Sequence, residues 1–174
     1  MTKVRRITRI ALSTVLLFLS AQIALPATPP FTLQTLVLFV VSSIMLTKDA
    51  VFTTLVYLAL GTVGVPVFSG FQSGIGVILG IGGGFLISFP LIAFFSSFFV
   101  KKFKKTFIPR FTVFAAATLL SSFIAYLWLI IGKFTDKSAG SVLLSYILPF
   151  LFFDLVKCAV APYIVKKLEG ILRK

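Results

Sequence analysis

Long stretches of the chain run without a charge. Residues 10–47, 50–100 and 111–132 hold no Asp, Glu, Lys or Arg. Crossing about 30 Å of hydrocarbon takes roughly 20 apolar residues, so runs of this length read as membrane spans. In lipid a single segment satisfies its own backbone only as a helix. The first run is too long for one crossing, since as one helix it would reach about 57 Å at 1.5 Å per residue. Pro26, Pro29 and Pro30 break it in the middle. Proline and glycine clusters and charge runs mark the remaining breaks. The pattern predicts an all-α integral membrane protein forming a single domain over residues 1–174. Its six transmembrane helices fall at about 7–25, 33–47, 50–64, 84–100, 110–131 and 141–166. The start, MTKVRRITRIALSTVLLFLSAQIALP, has the layout of a secretory signal. Its apolar stretch continues across PATPPFTLQ into the next span, whereas a signal has a shorter core and a cleavage site. A retained first helix is expected.

Composition agrees: 59% of residues are hydrophobic and 12% charged, too little charge to cover the surface of a soluble domain. The net charge of +13 is unevenly placed. Six spans put both termini on one side, which would then carry fourteen of the seventeen basic residues: Lys3, Arg5, Arg6, Arg9, Lys48, Lys101, Lys102, Lys104, Lys105, Arg110, Lys166, Lys167, Arg173 and Lys174. The other side holds Lys133 and Lys137, and Lys157 lies within the last helix. Such an excess marks the cytoplasmic face and suits contact with anionic lipid. No basic stretch interleaved with aromatics points to nucleic acid.

Three connections then face outward: PATPPFT, residues 65–83 and GKFTDKSAG. The second, VPVFSGFQSGIGVILGIGG, is long, and nine of the twelve glycines lie between Gly61 and Gly84. Irregular backbone at membrane depth persists only inside protein or beside a wet cavity. Val67, Phe68, Phe71, Ile75, Val77, Ile78 and Leu79 are poor candidates for exposure to water. The loop is expected to fold back as a lid over a cavity. Gly76, Gly80 and Gly84 match the small-xxx-small pattern of close helix packing.

The chemistry concentrates in PFLFFDLVKCAV, residues 149–160, where Asp154 and Lys157 stand three apart in an apolar run. Positions i and i+3 share a helix face, and each charge near the bilayer centre costs about 2.5–3.5 kcal/mol on insertion scales if it faces lipid. Both side chains should therefore point into the bundle. They meet there as a structural ion pair or as part of a site for a polar ligand. Thr32, Gln34, Tyr57, Gln72, Ser73, Tyr126 and Trp128 supply polar groups in the same half, with Phe68, Phe71 and Phe85 as flat apolar walls; a few polar groups in an apolar enclosure make a small-molecule site.

Other chemistry is disfavoured. GIGGG at 80–84 lacks the GK[ST] and the preceding strand of a phosphate loop. The chain has no histidine, which removes Ser–His and Cys–His nucleophiles and the commonest metal ligand. The lone Cys158 excludes an internal disulfide. Of the other carboxylates, Asp49 and Glu169 fall on the cytoplasmic side and only Asp136 could approach Asp154. No enzyme, metal or cofactor is expected.

Four segments together resemble one family in order and spacing: PPFTLQTL at 29–36, YLALGTVGVPVFSGF at 57–71, GIGVILGIGGGFLISF at 74–89 and LPFLFFDLVKCAVA at 148–161. This is the BioY family, the biotin-binding membrane subunits (S components) of energy-coupling factor (ECF) transporters. The resemblance covers most of the chain, and PFTLQ and Asp-x-x-Lys are its most specific parts. It implies a six-helix fold with a high-affinity biotin site near the outer face, roofed by loops. It implies partners too: a coupling membrane subunit and paired ATP-binding-cassette ATPases that drive delivery of biotin to the cytoplasm. Asp154 and Lys157 take the positions of the family's Asp and Lys, Gln34 that of its PFTLQ glutamine, and Gly82 and Gly83 those of its paired glycines. The chain departs from the family at GIGGGF, 80–85, where GPTGGY is common, so Phe85 lacks a phenolic hydroxyl. Phe152-Phe153 stands where Pro-Gly often precedes the Asp, which lets the last helix start earlier. On helix 1 the small-xxx-small face for the coupling subunit is reduced to Ala11 followed by Val15. An S component for another vitamin, a small transporter working alone and a structural membrane protein are the rival readings.

Overall fold

The computed structural model describes residues 3–103, 106–134 and 138–172. Of the charges weighed above, Lys104, Lys105, Asp136, Lys137, Arg173 and Lys174 lie outside the described residues. The chain is a helical bundle with elements α1 (Lys3–Gln22), α2 (Gln34–Ile44), α3 (Thr47–Thr62), α4 (Ile75–Ile78), α5 (Gly83–Lys102), α6 (Phe107–Ile131), α7 (Ala139–Val142) and α8 (Leu148–Leu172). Among the described residues, three helical stretches are long and apolar enough to cross a membrane: Gly83–Lys102, Phe107–Ile131 and Ala139–Ile171. α2 is apolar but short, about 16 Å at 1.5 Å per residue. α1 has the length, with Lys3, Arg5, Arg6 and Arg9 in its first two turns.

The boundaries follow local chemistry. Between α1 and α2 the chain forms a minimal antiparallel hairpin, β1 (Ala24–Leu25) on β2 (Phe31–Thr32), pairing Ala24 with Thr32 and Leu25 with Phe31. Its turn contains Pro26, Pro29 and Pro30, which have no N–H to give to a helix. The Leu33 N–H then donates to the Ser20 and Ile23 carbonyls, so α2 starts beside the end of α1. α3 carries Asp49 in its first turn, where the helix dipole favours an anion, and Asp49 pairs with Arg6 at 2.5 Å. Pro109 falls in the first turn of α6, where a missing N–H costs nothing. α7 runs through a π-turn, Leu143–Ile147, straight into α8. The last helical stretch therefore covers Ala139–Leu172, against about 141–166 expected, and passes through Phe152-Phe153 without a break.

The basic ends of the helices gather at one end of the bundle. Arg6 meets Asp49 there, Arg110 meets Glu169 at 2.7 Å, and Lys101 donates to the Met45 carbonyl that ends α2. Leu17, Leu38, Phe39, Tyr57, Ile92 and Phe114 form the centre of the main core, with the rings of Phe39 and Phe114 stacked at 4.7 Å. Hydroxyls link helices across it: Ser88 to Ser121 at 2.7 Å and Thr118 to the Cys158 thiol at 3.2 Å.

Two expectations for the glycine-rich segment change. Gly76, Gly80 and Gly84 do not share one helix, because α4 is four residues long and α5 begins only at Gly83. Only Gly84 makes a close helix contact: a Cβ there would lie 2.7 Å from Ala125 Cα on α6. Nor do all the loop's large apolar residues turn inward. Val67 and Phe68 are buried, but Phe71, Ile75 and Leu79 are exposed. Phe71 itself has a positive φ (57°), and Ile75 and Leu79 stand four apart along α4 and its end, on one helix face that is the outer one.

Candidate functional site

At the end of the bundle opposite the basic helix ends lies a cavity of about 490 Å³. Four segments enclose it: the turn at 27–32, the first residues of α2, the segment 68–82 and the start of α5, and the face of α8 carrying Phe150, Asp154 and Lys157. The last three follow from helical spacing, since residues four and three apart lie on one face.

Asp154 and Lys157 form a buried ion pair at 2.5 Å, with side chains 6% and 13% exposed. Thr35, on the first turn of α2, joins them: its hydroxyl donates to Asp154 Oδ1 at 2.8 Å and accepts from Lys157 Nζ at 3.0 Å. Lys157 also donates to the Thr32 carbonyl at 2.7 Å. An ammonium has three protons, and these three acceptors take them all. The bonds to Asp154 fall on Oδ1, and Asp154 lines the cavity. Uncompensated, either charge would be costly in this apolar setting; together with Thr35 they make a neutral polar tip on one cavity wall.

Beside it, Gln34 Oε1 accepts from Thr32 Oγ1 at 2.9 Å and its Nε2 donates to Tyr57 Oη at 2.7 Å. The opposite character comes from aromatic rings. Phe85 and Phe150 stack at 4.9 Å, Phe31 backs Phe150 at 4.2 Å, and Phe68 and Phe89 also face the cavity.

Of the residues singled out in the sequence, Thr32, Gln34, Phe68, Gln72, Gly82, Phe85, Asp154 and Lys157 line the cavity. Three do not. Tyr57 is fully buried behind Gln34 and donates to the Val67 carbonyl at 2.9 Å. Phe71 is outside, its ring against Phe18 at 6.2 Å and its N–H bonded to Gln22 Oε1 at 3.0 Å. Gly83 lies behind the wall, where a Cβ would sit 1.6 Å from the Ile78 carbonyl oxygen. Trp128 is also outside and holds the loop from behind, donating to the Gly80 carbonyl at 3.0 Å. Ala11 and Val15 are exposed on α1 and do not line the cavity.

Sequence reasoning missed Thr35, Phe150 and Gln22. Phe150 had a signal, standing one helical turn before Asp154. Thr35 had little, because its partner is 119 positions away. Gln22 closes α1 and fastens the loop, donating to the Phe68 carbonyl at 3.0 Å; nothing near it in the chain announces that role.

A helical membrane bundle with an apolar cavity, a neutralised ion pair in its wall and loop residues in its lining defines a class: a multi-pass membrane protein that holds a small polar molecule. Comparison with known proteins identifies the family. A sequence model described as the BioY family matches residues 1–174, and the chain belongs to that family. It is 35% identical over 158 residues to the biotin transporter BioY2 of Lactococcus lactis, covering 90% of this chain and 85% of that one. It is 31% identical to the probable biotin transporter BioY of Pyrococcus horikoshii, covering 97% and 98% of the two chains. In fold it matches the crystal structure of the S-component for biotin from an ECF-type ABC transporter, with a TM-score of 0.87, 23% identity and coverage of 98% and 95%.

Proposed function

We propose that the chain is the biotin-capturing S component of an ECF-type importer in the cell membrane. The observation that carries the reading is the Asp154–Lys157 pair, buried in the wall of an apolar cavity in a chain of the BioY family. Biotin matches this wall. Its ureido ring offers two N–H donors and a carbonyl acceptor, and its thioether ring and valerate chain are largely apolar. Asp154 would accept a ureido N–H through Oδ2, and Lys157 would exchange one of its three present acceptors for the ureido oxygen or the carboxylate. Charge-assisted bonds of this kind are the strong ones. Thr32, Gln34 and Gln72 complete the polar contacts, Phe68 and Phe85 the apolar ones, and Gly82 lets the backbone approach closely.

In this reading the protein crosses the membrane six times with both termini in the cytoplasm, and segment 65–83 is the lid of an outward-facing site. The chain is a transport subunit and not an enzyme. Energy comes from a coupling membrane subunit and paired ABC ATPases, with Ala11 and Val15 on the exposed face of α1 offered to the coupling subunit. The lipid bilayer is the remaining partner, and biotin is bound as cargo, without a cofactor. Isothermal titration of the purified protein with biotin tests the reading. Saturable binding of one biotin per chain is expected; no heat and no thermal stabilisation would overturn it.

A further inference from the structure

The amide of Gln34 is tied at both ends, and the assignment of those ends does not depend on Gln34 itself. Tyr57 Oη lies 2.7 Å from one end and 2.9 Å from the Val67 carbonyl oxygen. A phenol has a single proton, and a carbonyl only accepts. The other donor to that carbonyl, Gln22 Nε2, stands at 3.5 Å. If Tyr57 turned its proton to Gln34, the buried carbonyl would keep only this marginal contact, close to the cost of an unpaired buried group. The proton therefore goes to Val67, Oη is left as an acceptor, and only the NH₂ end of the amide can serve it. Thr32 lines the cavity and Tyr57 does not, so the carbonyl oxygen is the amide end on the cavity side.

We infer that Tyr57 is a positioning residue for ligand recognition: by placing its proton on Val67 it holds Gln34 with Oε1 toward the cavity, so that the site demands an N–H donor there. The inference rests on the biotin reading, in which a ureido N–H is that donor. It adds that a side chain outside the cavity sets the polarity of a contact inside it. A site that hydrogen-bonds a group on its ligand rejects an analogue lacking that group strongly, because its own buried atom is left unpaired.

The test is equilibrium binding of biotin and of two cyclic carbamate analogues, each with one ureido N–H replaced by a ring oxygen. The wild-type chain should bind biotin and reject both analogues by about a hundredfold or more, one for the donor it lacks toward Asp154 and the other for the donor it lacks toward Gln34. Tyr57→Phe frees the amide to turn its NH₂ to the ring oxygen, and the ratio should narrow by about tenfold for the second analogue and hold for the first. Gln34→Ala should narrow it similarly, and adding Tyr57→Phe to Gln34→Ala should change it no further. An equal loss for all three ligands in Tyr57→Phe would assign the tyrosine a structural role and overturn the inference. If Tyr57→Phe does not fold, Gln34→Ala still puts the inference at risk, since an unaltered ratio refutes it. Failure of the wild-type chain to bind biotin would end the functional reading together with this inference. Normal biotin binding with an unaltered ratio ends this inference only.

Discussion

Asp154 and Lys157 were legible from the sequence because charge is so rare in this chain. Four acidic residues serve 174 positions, and a carboxylate in the middle of an apolar helix must be compensated. What the sequence left open was the compensation. It comes partly from Lys157 one turn on and partly from Thr35, whose hydroxyl touches both charges. Asp154→Ala removes the charged acceptor and should weaken biotin binding tenfold or more, in line with about 1.5–3 kcal/mol for a hydrogen bond to a charged group. Titration of the folded variant checks this, and unchanged affinity would remove Asp154 from the site. Tyr57 shows the reverse error of scale. Its residue type suggested a ligand contact, whereas its hydroxyl is spent on Gln34 and Val67.

At the scale of elements, charge-free runs and proline breaks located the long helices, because helix length in lipid is dictated by backbone satisfaction and bilayer thickness. The glycine-rich stretch was harder to read. A pattern at i, i+4 and i+8 suits one packed helix, but here it straddles a four-residue helix, a turn and the start of α5. The glycines consequently differ in what they tolerate. Gly84→Ala sets a methyl 2.7 Å from the α6 backbone at Ala125 and should lower the thermal unfolding midpoint, since overpacking costs typically about 1–3 kcal/mol. Gly76→Ala meets nothing within 4 Å and should leave the midpoint in place. Equal midpoints for the two variants in detergent would show that α5 and α6 are not in close contact at Gly84.

For the whole molecule, the distribution of basic residues predicts the orientation in the membrane, and the bundle gathers Arg6, Lys101 and Arg110 at the end away from the cavity. With that end cytoplasmic, Lys167→Cys should resist a membrane-impermeant maleimide added to intact cells. Ser138→Cys, exposed near the cavity end, should react. The native Cys158 is fully buried and should contribute little background. Labelling of Lys167→Cys alone would invert the topology.

Hydropathy and charge, read along the chain alone, were enough for a membrane class, the approximate positions of the long helices and the unusual pair in the last helix. Each of these is governed by the cost of moving a local segment or side chain into hydrocarbon, a quantity that depends on neighbours in sequence. Only the tertiary structure decided which polar residues face the cavity and which stand behind it, how Thr35 and Gln22 are used, and why Gly76 and Gly84 differ. Those outcomes depend on atoms brought together from segments as far as 125 positions apart, and one rotation of a helix or one turn in a loop exchanges a ligand contact for a buried support.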